Sequence, residues 1–117
     1  MKLPRIALSL MLLGAASLAQ AHTHLHKSTP ANGAELKEAP KTLSLSFEDA
    51  VHLTAVTLEV EGDKSQQQLK PLPSGDIADA VVPMPALAPG KYLVTWHAAS
   101  KDGHVMSGKI KFDIVKP

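Results

Sequence analysis

Lys91-Tyr92-Leu93-Val94-Thr95-Trp96-His97-Ala98 sets Tyr92, Val94 and Trp96 on alternate positions, the two-residue period of a strand that buries one face. Ala88-Pro89-Gly90 makes a strong turn before it, and Lys101-Asp102-Gly103-His104 turns the chain after it. Beyond that turn, Lys109 to Val115 alternates Ile110, Phe112 and Ile114 with Lys109, Lys111 and Asp113. Toward the amino end, Thr42 to Phe47 puts Leu43, Leu45 and Phe47 on one face. Leu53 to Glu61 repeats the device, with Val56, Leu58 and Val60 opposing Leu53, Ala55 and Thr57, and Gly62-Asp63 closes it. Gln66 to Leu72 and Ile77 to Val82 read as weaker strands around Pro73-Ser74-Gly75-Asp76. Ala34 to Ala39 has room for one helical turn before Pro40, and Pro83, Pro85 and Pro89 mark a loop between strands. About seven short strands and no long helical pattern predict an all-β fold, a small antiparallel Greek-key sandwich or barrel. Phe47, Tyr92, Trp96 and Phe112, the aromatic residues of the chain, all fall on these strands.

The amino end has a different character. Lys2 and Arg5 form a basic start, Ile6 to Leu18 an apolar stretch, and Ala19-Gln20-Ala21 a small-residue cleavage site, the pattern of a secretory leader. The apolar run is shorter than the ~20 residues that a spanning helix needs. Residues 1–21 are therefore expected to be removed, leaving residues 22–117 as a single domain with no membrane span. Of 12 basic residues two leave with the leader, so 10 face 11 acidic ones, a net charge near −1. That balance offers no electrostatic footprint for nucleic acid or anionic lipid. With no cysteine, the fold must stand without disulfides, and thiolate metal chemistry is excluded.

Cleavage after Ala21 would leave His22 as the first residue of His22-Thr23-His24-Leu25-His26. A terminal histidine offers a metal its α-amine and its imidazole Nδ1 in one chelate ring, donors that favour Cu(II) or Ni(II) over hard cations. Asp102-Gly103-His104 is the second candidate, because a Gly-containing turn can aim a carboxylate and an imidazole at one point. Together they would supply three nitrogens and one oxygen, a set suited to tetragonal Cu(II). Two other readings stand beside this one. Asp-Gly is a common turn, with His104 then merely exposed. His24, third from the new terminus, could chelate copper with the amine and deprotonated backbone amides, and otherwise serves as an outer ligand. His26 reads as an exposed strand residue, and His52 and His97 as structural histidines on strands.

The chain resembles the CopC family of periplasmic copper-resistance and copper-binding proteins. The resemblance is carried by His22, Leu25, Ser28-Thr29-Pro30-Ala31, Phe47, Pro89-Gly90-Lys91-Tyr92, Trp96, Ser100, Asp102-Gly103-His104 and Ser107-Gly108. It implies a cupredoxin-like or immunoglobulin-like sandwich and one Cu(II) ion bound by His22, Asp102 and His104. Asp49 is the counterpart of a carboxylate near the family's copper, with Glu48 as its rival. Some members carry a methionine-rich loop for Cu(I), whereas this chain has only Met84 and Met106 after the leader, and Met106 suits a gap in the core. Val105 stands where many relatives have proline.

The function so implied is that of a non-enzymatic, monomeric periplasmic protein. It would carry or sequester copper and pass it to a membrane copper transporter or another periplasmic copper protein. A histidine-brace oxidative copper enzyme is the alternative, and Asp102 argues against it because an anionic ligand fills the position oxygen would use. An immunoglobulin-like interaction module with incidental histidines is a third. No nucleophile elbow or phosphate-binding loop is present in the sequence.

Overall fold

A computed structural model describes residues 24–116, and every regular element among them is a β-strand. In chain order these are β1 (Leu25–Thr29), β2 (Ala34–Leu36), β3 (Thr42–Val60), β4 (Asp63–Gln68), β5 (Asp76–Pro83), β6 (Gly90–Ser100) and β7 (Val105–Ile114). β3 joins the two strands expected at 42–47 and 53–61 into one of 19 residues. Glu48-Asp49-Ala50, between them, contains neither glycine nor proline to stop it.

What changes along β3 is its partners. Its first half lies between β1 and β5, with Leu45 opposite both Ser28 and Ala80. Its second half lies between β4 and β6, with Leu58 opposite both Gln67 and Val94. Val51 is the point of exchange, opposite Ile77 of β5 and Ser100 of β6. A strand that leaves one layer and enters the other makes the corner of a sandwich. The sheet curls over on itself as a result, with β7 and then β2 continuing outward from β6.

Two local expectations are corrected. Ala34–Leu36 is extended rather than helical, and it pairs parallel with Phe112, Asp113 and Ile114, the one parallel pairing among the described strands. Its neighbours find partners on β7 and around it: Gly33 N–H donates to Lys111 O at 2.7 Å, Val115 N–H to Leu36 O at 2.8 Å, and Lys111 N–H to Asn32 Oδ1 at 2.8 Å. So short a segment cannot repay helix nucleation, whereas a preformed strand edge offers it partners at once. The second correction concerns the faces of β3. Leu53 opposes Ala98 but Ala55 opposes His97, so Thr54 is an inserted residue, a β-bulge. Strict alternation would set Leu53 against Val56 and Leu58, yet all three are buried, because the bulge shifts the phase by one.

The core is apolar throughout, with no buried polar or charged residue among those described. Phe47 and Trp96 meet edge to face at 5.2 Å, while Tyr92 stacks on Phe112 at 5.4 Å. Trp96 also lies across Gly108, its pairing partner on β7. A Cβ at Gly108 would stand 2.7 Å from the indole ring, so only glycine fits beneath it. Trp96 Nε1 is buried without a hydrogen-bond acceptor among the described residues.

Candidate metal centre

The turn from β6 to β7 is held by its own short-range bonds. Ser100 N–H donates to His104 O at 2.8 Å and Gly103 N–H to Ser100 O at 3.0 Å. Gly103 has φ +92°, a conformation that side chains disfavour. Within this frame Asp102 turns back on its neighbours. Its Oδ1 accepts from Ser100 Oγ, from His104 N–H at 3.2 Å, and faces His104 Nδ1 at 2.8 Å. The Ser100 hydroxyl, followed by the ring and backbone of His104, holds the Asp102 carboxyl well below the usual carboxylate range. Both side chains are more than half exposed, so an ion can approach from solvent.

The carboxylate and imidazole are thus brought together as the sequence suggested. Their spacing has chemical meaning: donors on a metal at right angles, with bonds of about 2.0 Å, stand about 2.8 Å apart. A tetragonal ion could take the place of the proton between Nδ1 and Oδ1. Among the described residues no three His, Asp or Glu side chains gather as a metal-binding group.

The start of the described chain reaches the same end of the molecule. Leu25 lies opposite Phe47, and Glu48 N–H donates to His24 O at 3.0 Å. Three residues further along β3, Val51 lies opposite Ser100, where the Asp102 turn begins. Asp49 and Glu48, both exposed, occupy the bend between these two contacts. His22 lies outside the described residues. His24 and His26 are exposed, and Met84 and Met106 are partly buried against the core.

His52 and His97 lie on strands as read, both exposed on the outer face of the sheet. Alternation could have placed His97 opposite Trp96, but the bulge at Thr54 hid the face of His52. Sequence reasoning also missed what Ser100 does: it holds Asp102. The signal was its spacing, two residues before the carboxylate, the usual reach of a serine hydroxyl within a turn.

The family described as the CopC domain matches residues 25–115. Protein YobA of Escherichia coli (strain K12) is 33% identical over 99 residues, covering 80% of this chain and 79% of that protein. Copper resistance protein C of Pseudomonas syringae pv. tomato is 33% identical over 107 residues, covering 84% of each. The crystal structure of CopC from Methylosinus trichosporium OB3b superimposes with a TM-score of 0.69 at 21% identity, covering 81% of this chain and 95% of that one.

Proposed function

The chain belongs to the CopC family, and from that premise we propose that it is a non-enzymatic periplasmic carrier for one Cu(II) ion. The observation that carries this reading is the Asp102–His104 contact at 2.8 Å, set at the bend of β3 where the amino-terminal arm begins. After removal of residues 1–21, the amine and Nδ1 of His22 add two nitrogens to this pair. Two residues of extended chain span up to about 7 Å, enough to bring His22 from the His24 contact toward the turn. Asp102 is the anion that favours Cu(II); copper would take the place of the proton between it and His104 Nδ1, that proton moving to Nε2 of the neutral imidazole, and the His22 amine gives up its own proton to bind, so uptake releases protons. Asp49 lies beside the site as an outer carboxylate. The likeness to copper resistance protein C supports a role in copper resistance. Copper held at an exposed turn can pass to a membrane transporter or another periplasmic copper protein without unfolding of the core.

Titration of the processed protein with Cu(II), read by electron paramagnetic resonance, tests the donor set. One extra residue before His22 is expected to weaken binding sharply, and Asp102→Ala and His104→Ala to weaken it more than His24→Ala. An affinity indifferent to the extension removes His22 from the site. The reverse order among the variants hands copper to the peptide chelate through His24. Turnover of ascorbate and oxygen above that of free copper would reveal an oxidative enzyme instead.

A further inference from the structure

β3 and β6 each present a histidine on the face turned away from the core. Val51 and Leu53 flank His52 and are buried, as are Trp96 and Ala98 around His97, while both histidines are exposed. Pairing fixes how far apart they stand. His52 lies opposite Ala99, and His97 opposite Ala55, so the two histidines occupy a diagonal across neighbouring strands. In a regular ladder such diagonal neighbours are roughly 7–8 Å apart, within reach of long and aromatic side chains, and here the bulge at Thr54 adds one residue between them. Ala99 and Ala55 occupy the other two corners, and the exposed Thr54 stands in the bulge between His52 and Ala55.

We propose that His52 and His97 form a second Cu(II) site, separate from the one at the amino terminus. Thr54 Oγ1 donates to His97 O at 3.1 Å from within the bulge, a tie between the two strands beside the pair. His52 Nδ1 sits 3.4 Å from Gly75 O, which can only accept, so that contact places the proton on Nδ1 and leaves the lone pair on Nε2. Asp76, opposite His52 on β5, is an exposed carboxylate that adds negative potential beside the pair. With no third His, Asp or Glu joining them among the described residues, water completes the coordination. The site is therefore the weaker of the two. Two imidazoles with open positions suit Cu(II), which also heads the affinity order of divalent ions.

The test is a Cu(II) titration of processed protein followed by amide line broadening in NMR and by electron paramagnetic resonance. After the first equivalent, a second is expected to broaden the signals of His52, Thr54, His97 and Ala99. His52→Gln and His97→Gln, at exposed positions, should each abolish the second event and leave the first event and the melting temperature unchanged. Absence of a second event, or one that survives either substitution, overturns the proposal. Failure of the carrier reading looks different: the first event then ignores the residue added before His22, while the second still depends on His52 and His97.

Discussion

Asp102 receives a hydroxyl, a backbone amide and an imidazole on one oxygen, although it faces solvent. Its carboxyl is depressed in the folded chain, so the stabilisation it gives is complete above the ordinary carboxylate range and is lost as pH falls below that range. The Ser100 hydroxyl is the first cause of the depression. Ser100→Ala should therefore move the Asp102 titration upward and start acid unfolding at a higher pH. Carbon-13 NMR of the carboxyl group measures the first and circular dichroism the second; an unmoved titration would mean that the ring and backbone of His104 hold the carboxylate without the hydroxyl. At this scale the site was half legible. Asp102, Gly103 and His104 are close in sequence, and a glycine turn limits what they can do. The part proposed for His22 rests on cleavage, which the leader pattern suggests, and on chain reach, which no local pattern encodes.

Among the elements, β3 shows why periodicity succeeds and where it stops. Leu43 and Leu45 alternate as read, because each residue there advances the pairing by one step, and Phe47 keeps the phase although β1 slips by one residue beside it. At Thr54 one strand advances two residues while its partner advances one, and the alternation read from sequence inverts. Nothing in Leu53-Thr54-Ala55 announces the insertion, since it is set by how β6 must lie against β3. β2 was misread for a related reason: its conformation comes from the edge of β7 and not from its own residues. Packing between elements gives a sharper test at Gly108. Gly108→Ala drives a methyl into the Trp96 ring, which should cost about 1–3 kcal/mol in urea unfolding. Trp96→Leu in the same background should recover part of that loss. A neutral Gly108→Ala would show that the indole can move aside.

For the whole molecule, the arrangement places a stable apolar sandwich under a polar end where the arm, the β3 bend and the Asp102 turn meet. An ion that ties arm to turn binds the folded chain more tightly than the unfolded one, whose terminal His22-Thr23-His24 can still chelate copper. Cu(II) at about 100 times its dissociation constant should therefore stabilise the processed protein by at most about 2.7 kcal/mol. Scanning calorimetry checks this as a rise in melting temperature that Asp102→Ala largely removes. A rise that survives Asp102→Ala would place the stabilising ion elsewhere. The fold class was legible because seven strands bury one continuous core, and turns of glycine and proline mark their ends. The passage of β3 from one layer to the other was not, since it depends on which strands lie beside it.

Trp96 is the sole tryptophan of the chain, and its indole nitrogen meets no acceptor among the described residues. Its fluorescence therefore comes from a single, buried location against Phe47 and Gly108. The native protein should emit toward the blue, and a red shift would report water entering the seam between β6 and β7 without any attached dye.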